Sequence, residues 1–159
     1  MPPEPICRGS FQMSLSYTLY VRTELAALEL LRSFAVSNEL SELDQVVELP
    51  CLYVNSGNVD NYTGKWLREK YGFEPNVYLY FTVKNGKTES ADEAVVISVL
   101  KLLKVIPGQA LLDCDFADAL LIRDEQLILN EQSDLWTVDN VAKIPCPFTI
   151  GSLATGGTG

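Results

Sequence analysis

One segment of the sequence has the pattern of a helix with very few polar residues, so the fold must bury nearly all of its surface. Residues 94–106 read AVVISVLKLLKVI, and their polar members are Ser98, Lys101 and Lys104. At helical spacing these side chains form one narrow stripe, so other elements must cover the rest of the helix. Ser90 and Glu93 have the spacing of a capping box, and Pro107 and Gly108 end the segment. The sequence predicts a central core helix.

Alternating apolar and polar residues predict strands on both sides of this helix. The predicted strands are 14–22, 46–55, 76–84 and, joined by tight turns, 110–116, 117–124 and 125–131. Helical spacing predicts further helices over residues 25–36, with Thr23 as the N-cap, and over residues 65–71. The run Asn55-Ser56-Gly57-Asn58 has the composition of a turn.

This order of elements predicts an α+β fold in one domain. Short links near the C-terminus cannot serve as crossovers, which favours a two-layer sandwich whose mainly antiparallel sheet carries two main helices on one face. We expect residues 1–12 to form a disordered N-terminal extension, residues 13–150 the domain, and residues 151–159 a flexible tail.

Charge and missing residue types exclude several functions. The chain has 12 Lys and Arg, 21 Asp and Glu, and a net charge of -9, which argues against binding to nucleic acid or to anionic membranes. It has no histidine, so catalytic centres that use an imidazole base are excluded. The four cysteines are Cys7, Cys51, Cys114 and Cys146, and no two of them have zinc-ligand spacing. We expect free thiols in a reducing cytoplasm.

Carboxylates concentrate in two regions. Asp113, Asp115 and Asp118 are compact enough to hold a divalent cation, or they belong to a solvated strand face that leads into a turn. The second region spans residues 33–64, which contain no Lys or Arg; its acids are Glu39, Glu42, Asp44, Glu48 and Asp60. Such a run is either a solvated surface or a region that attracts a basic partner.

Aromatic side chains offer a further candidate surface. Tyr78 and Tyr80 share the strand face opposite Val77 and Leu79. Either a helix covers this pair, or the pair anchors an interface with a partner.

Residues 71–136 carry a resemblance to a known family. They contain YGFEPNVYLYFTVKNGK, then DEAVVISVLKLLKVIPGQALLDCDF, then ALLIRDEQLILNEQSDLW, and the N-terminal strand reads SLSYTLYV. The helix that ends in PG, the apolar strand after it and the LILN hairpin before Trp136 resemble the Sit-type immunity proteins of bacterial polymorphic-toxin, or swarming-inhibition, loci.

The resemblance implies a small cytoplasmic protein that neutralises a cognate toxin by occluding its active cleft, without catalysis and without a cofactor of its own. It implies a monomer or weak homodimer whose acidic surface steers a basic toxin. The residues that would supply this charge are Glu39, Glu42, Asp44 and Glu48, or alternatively Asp113, Asp115 and Asp118.

Two other functions stay open at this point. One is a divalent-metal-binding domain or enzyme that uses Asp113, Asp115 and Asp118. The other is a structural or oligomerising module whose exposed tyrosines and tryptophans form a homodimer.

Overall fold

A computed structural model describes residues 16–85, 91–114, 118–124, 126–133 and 135–153. Within these residues the strands are β1 Ser16–Val21, β2 Glu42–Leu43, β3 Val46–Glu48, β4 Leu52–Asn58, β5 Val77–Val83, β6 Ala110–Cys114, β7 Asp118–Asp124, β8 Gln126–Asn130 and β9 Phe148–Gly151. The helices are α1 Ala27–Ser37, α2 Asn61–Tyr71, α3 Ala91–Leu103 and the short α4 Val138–Val141.

The described strands form one mixed sheet in the order β2-β3-β4-β5-β1-β6-β7-β8-β9. Neighbouring strands are antiparallel except β8 and β9, which are parallel. β1 lies in the middle, between β5 and β6. The predicted α+β class with a mainly antiparallel sheet is confirmed.

The first face of the sheet packs against α1 and α3. Tyr17, Leu19 and Val21 of β1 point to this side and belong to the same buried cluster as apolar residues of both helices. The rings of Phe34 in α1 and Phe81 in β5 meet edge to face, with centroids 5.6 Å apart. Most of α3 is buried, as its narrow polar stripe predicts. Two main helices therefore lie on one face, as expected.

A smaller apolar cluster lies on the second face. Tyr20 and Leu111 of the central strands pack there with Leu67 of α2, with Phe73 and with Leu153 near the C-terminus. The α2 helix is capped by Asp60 and ends at Gly72, which has a φ of 90°. Because this cluster lies beside one part of the sheet, the second face is only partly covered.

The first helix begins later than its pattern predicts. Thr23 was expected to cap a helix from residue 25, but α1 begins at Ala27. The hydroxyl of Thr23 accepts a hydrogen bond from the Leu25 amide at 3.2 Å, and the side chain of Asn76 binds the main chain of Thr23. These contacts hold Thr23 in a turn and delay the helix.

Other predictions also differ from the structure. The strand predicted over residues 46–55 is two antiparallel strands, β3 and β4, because the chain turns between Leu49 and Leu52, and the helix predicted over residues 65–71 begins at Asn61. The turn expected at residues 55–58 is wrong, because β4 continues through Asn58 and pairs with β5 along its length. The tail expected from residue 151 begins too early, because Gly151 belongs to β9 and Leu153 is buried. Residues 154–159 and the expected extension over residues 1–12 lie outside the described residues.

Candidate functional site

A groove of about 340 Å³ opens on the second face of the sheet, and we refer to it below as the groove. Its floor comes from β1, β4 and β5, and the first turn of α2 forms one wall. The lining residues are Thr18, Tyr20, Asn55, Asn58, Val59, Asp60, Thr63, Tyr78 and Tyr80. Except for Val59, they all carry a hydroxyl, an amide or a carboxylate. The groove is therefore a polar, tyrosine-rich cleft.

Strand register explains how these side chains come together. Asn55, Tyr80 and Thr18 are opposite one another on β4, β5 and β1, and Asp113 of β6 continues the same row. Because side chains on paired strands share a face, this row lies across the floor of the groove. The alternation that buries Leu19, Leu79 and Val54 on the first face thus places polar groups on the second.

The next row contains Gly57, Tyr78 and Tyr20 on the same three strands. A β-carbon built at Gly57 would lie 2.3 Å from the Tyr78 hydroxyl oxygen and 2.5 Å from the adjacent ring carbon. Only glycine therefore leaves room for this position of the tyrosine ring. Gly57 shapes the groove through the absence of a side chain.

Asp60 forms the wall where β4 gives way to α2. Its Oδ1 accepts a hydrogen bond from the amide of Thr63 at 2.7 Å, and its Oδ2 accepts one from the Thr63 hydroxyl at 3.2 Å. These hydrogen bonds, the amide first, lower the pKa of the Asp60 carboxyl below its ordinary value. Asp60 is therefore a carboxylate at neutral pH, and it is the one formally charged residue among the nine that line the groove.

The hydroxyl of Tyr20, in the floor of the groove, has a shifted pKa because it is buried and because Asp113 lies nearby. Burial raises the pKa of the Tyr20 hydroxyl above its ordinary value, and the negative charge of Asp113 raises it further. Asp113 is 5% exposed. The Tyr20 hydroxyl therefore stays protonated in a region where negative charge is already present.

The first set of predicted acids lies along β2, β3 and the loop before β2, at the edge of the sheet opposite to the β9 edge. We call Glu39, Glu42, Asp44 and Glu48 the acidic edge. Glu42 pairs with Arg32 of α1, with Nε and Oε1 3.1 Å apart, and it accepts a hydrogen bond from the Gln45 amide at 2.6 Å. Glu48 forms an ion pair with Lys84. Glu39 and Asp44 are exposed.

The backbone of the acidic edge is held in unusual conformations. Glu39, Asp44 and Gln45 have φ angles of 59°, 55° and 67°. Leu43 and Val46 pair directly, so Asp44 and Gln45 form a two-residue hairpin turn in which positive φ at both positions suits the twist of the strands. The hairpin presents Leu43, which is 77% exposed, next to its acids.

Of the second set of predicted acids, Asp113 does not lie on an exposed strand face. Asp113 was expected on a solvated face, but β6 lies inside the sheet between β1 and β7, and Asp113 is buried there. Asp118 begins β7 opposite Cys114. Asp115 lies outside the described residues. Among the residues that are described, no group of three acidic or cysteine side chains is arranged to hold a metal ion.

Sequence reasoning singled out Tyr78 and Tyr80 of the groove but missed its amides and threonine hydroxyls. Both tyrosines are half-buried; Tyr78 packs against the cluster that includes Leu67 of α2, and Tyr80 lines the groove. Asn55 and Asn58 were assigned to a turn, and Thr18 was included in the predicted strand 14–22 without a role. The amides and hydroxyls could have been identified from the alternation of polar and apolar residues in β1, β4 and β5, combined with the pairing of these strands.

Comparisons with known proteins give one family. No curated protein and no solved structure matches the chain. No helix in the described part of the chain is long and apolar enough to cross a membrane. All nine residues of the groove and the whole acidic edge lie between residues 15 and 140. The SitI3-like family model matches the chain over residues 15–140, consistent with a Sit-type immunity protein family, and the chain therefore belongs to the SitI3-like family.

Proposed function

We propose that this protein is an immunity protein that binds a cognate polymorphic toxin and neutralises it by occluding the toxin's active cleft. The observation that carries the proposal is membership of the SitI3-like family over residues 15–140. Occlusion requires no chemical step from the inhibitor, only a surface that holds the toxin. This agrees with a chain that has no histidine and no two cysteines at zinc-ligand spacing.

The charge of the chain supports attraction of a basic toxin. A net charge of -9 on 159 residues creates a field that accelerates the encounter with a positively charged cleft. Asp113 is buried, so it contributes to this field but not to a docking contact. The acidic edge is the candidate contact. Arg32 and Lys84 offset Glu42 and Glu48, so Glu39 and Asp44 are the exposed acids of the edge that form no ion pair among the described residues.

Exposed apolar residues beside these charges also support binding at the acidic edge. Val36 at the end of α1 is 76% exposed, and Leu43 in β2 is 77% exposed. Interfaces commonly combine apolar contacts at the centre with charges at the rim. We propose that Val36 and Leu43 bury against the toxin while Glu39 and Asp44 guide its approach.

Co-expression tests the function itself. A toxin captured from a lysate of the source organism with the tagged chain is expressed in a sensitive host with and without the present chain, and the pair is then purified through a tag on one member. We expect restored growth and a one-to-one complex. A host that still dies, together with no complex at any salt concentration, would overturn the proposed function.

Association kinetics test the role of the acidic edge. The E39Q/D44N variant removes two exposed charges from the edge, and the matched E24Q/E69Q variant removes two exposed charges elsewhere. We expect the first to associate several-fold more slowly than the second at low salt and to show a flatter salt dependence. Equal rates for the two variants would rule out steering by the acidic edge.

A further inference from the structure

We infer that the groove binds a guanidinium group, presented by an arginine side chain of the bound partner. The identity of that partner rests on the proposed function. Recognition of the cation by the groove does not, and it can be measured without any toxin.

The charges around the groove favour a cation. Asp60 is a carboxylate on the wall, and the nine lining residues include no lysine or arginine. The carboxylate of Asp60 therefore draws a cationic group into the groove.

The lining offers the acceptors that a guanidinium requires. Asp60 is exposed, and its carboxylate, which already accepts from the Thr63 amide and hydroxyl, is the charged acceptor on the wall of the groove. The amide oxygens of Asn55 and Asn58 and the hydroxyls of Tyr78 and Tyr80 are further acceptors on the same surface. A guanidinium carries five donors in one plane and therefore fits a ring of acceptors better than an ammonium does.

The tyrosine rings favour a flat cation for a second reason. Tyr78 and Tyr80 both line the groove, and the missing side chain at Gly57 lets the ring of Tyr78 lie close to β4. A guanidinium plane stacks on aromatic rings and is only weakly hydrated, so it enters such a cleft at low cost.

An anion is the obvious competing ligand, because the first turn of α2 faces the groove and helix N-termini attract anions. Asp60 already occupies this position and bonds the Thr63 amide. An incoming phosphate or carboxylate would meet the charge of Asp60. The N-terminus of α2 therefore presents the carboxylate of Asp60 to the groove and does not offer a free site to an anion.

The size of the groove limits what can enter it. Pockets for small ligands are roughly 300–1,000 Å³, and the groove, at about 340 Å³, lies at the lower end. It accepts a single side chain or a compact ligand and not a helix. An arginine on a loop of the partner meets this limit.

The test uses N-acetyl-arginine amide as the probe and N-acetyl-citrulline amide as its neutral control of the same shape. Each is titrated into the ¹⁵N-labelled full chain while backbone and side-chain amide resonances are followed. We expect saturable, millimolar binding of the arginine compound, with the largest changes at Thr18, Asn55 and Tyr80. The citrulline compound should bind several-fold more weakly.

A matched pair of variants locates the charge that is responsible. D60N removes the carboxylate but keeps an asparagine that caps α2 about equally well. We expect the affinity for the arginine compound to fall roughly tenfold in D60N, as for the loss of one charge-assisted contact. E69Q makes the same charge change farther along α2 and should leave the affinity unchanged.

Equal binding of the two compounds, resonance changes outside the groove, or equal losses in D60N and E69Q would each overturn the inference. Its failure is distinguishable from failure of the proposed function. If the chain neutralises its toxin but ignores the probe, only the guanidinium site is wrong. If the probe binds but no toxin is neutralised, the proposed function fails and the cation site stands.

Discussion

Gly57 of β4 lies opposite Tyr78 of β5, and a β-carbon at Gly57 would come within 2.3 Å of the tyrosine hydroxyl oxygen. The atom that would clash is at the far end of a side chain that can rotate. The backbone of the two strands can therefore stay in place while the ring moves. Gly57 thus fixes the position of one aromatic wall of the groove.

The G57A variant should separate folding from binding. Replacing a strand glycine by alanine gains about 0.5–1 kcal/mol of stability, which offsets the displacement of the ring, so we expect a net change within about 1 kcal/mol in urea unfolding. The affinity for N-acetyl-arginine amide should fall several-fold. G151A is the control, because a β-carbon at Gly151 meets nothing within 4 Å. A G57A protein that binds the probe like the wild type would show that the position of Tyr78 does not matter.

The parts of the fold that depend on local pattern were predictable from the sequence. In β5, Val77, Leu79 and Phe81 alternate with polar or aromatic residues. The strand runs from Val77 to Val83, within the predicted residues 76–84, because one of its faces is buried. Likewise, α3 has a polar stripe too narrow for a surface helix, and it lies in the core.

The parts that depend on distant contacts were not predictable. Asn55 to Asn58 have turn composition, but Gly57 is there to accommodate Tyr78, 21 positions later in the sequence numbering. Asp113 alternates with Leu112 as an exposed residue would, but it is buried beside Thr18 of the central strand, which is buried as well. The groove arises from pairing between β1, β4 and β5, which no single segment reveals.

Arg123 of β7 stabilises the end of α3. Its Nε donates to the Gly108 carbonyl at 2.9 Å, its Nη2 to the Ile106 carbonyl at 3.0 Å, and its Nη1 to the Leu103 carbonyl. A lysine has one ammonium and cannot span three carbonyls, so R123K should lower the free energy of unfolding by about 1–3 kcal/mol. Urea unfolding measures the loss. R32K, which alters an exposed ion pair, should cost under about 1 kcal/mol, and equal losses would contradict this role for Arg123.

Asn76 holds the end of β1 next to the start of α2. Its Nδ2 donates to the Thr23 carbonyl at 2.8 Å, its Oδ1 accepts from the Thr23 amide at 3.0 Å, and its own carbonyl accepts from the Val59 amide at 3.0 Å. N76D replaces the side-chain donor by an acceptor facing a carbonyl, so stability should fall by about 1–3 kcal/mol. Thermal and urea unfolding measure it. The same substitution at the exposed first residue of α2, N61D, should have little effect or stabilise slightly.

Tyr20 should make the fold sensitive to alkaline pH. Its pKa lies above the ordinary value of 10.0 because of burial first and the charge of Asp113 second. A raised pKa means that the folded state holds the proton more tightly. The contribution to stability is complete below pH 10 and is lost as the pH rises through the folded value. Above pH 10, the free energy of unfolding should fall less steeply with pH for Y20F than for the wild type. Y62F, which alters an exposed tyrosine, should follow the wild type.

Glu42 should make the hairpin of the acidic edge sensitive to acid. Its pKa is lowered from 4.5 by the hydrogen bond from the Gln45 amide and then by Arg32. A lowered pKa gives a contribution that is complete above pH 4.5 and is lost as the pH falls through the folded value. Hydrogen exchange at the Val46 amide, which faces Leu43 across the hairpin, should therefore accelerate in the wild type below pH 4.5, relative to the intrinsic rate.

In E42Q the neutral amide cannot be protonated in this range, so the same exchange ratio should stay nearly constant from pH 6 to pH 3, at a less protected level. E24Q makes the same change in a different loop and should keep the wild-type response. Parallel curves for the wild type and E42Q would mean that another carboxylate governs the hairpin. Because the hairpin carries Asp44 and Leu43, its opening in acid should also lower the rate of association with a toxin, and E42Q should reduce that pH dependence.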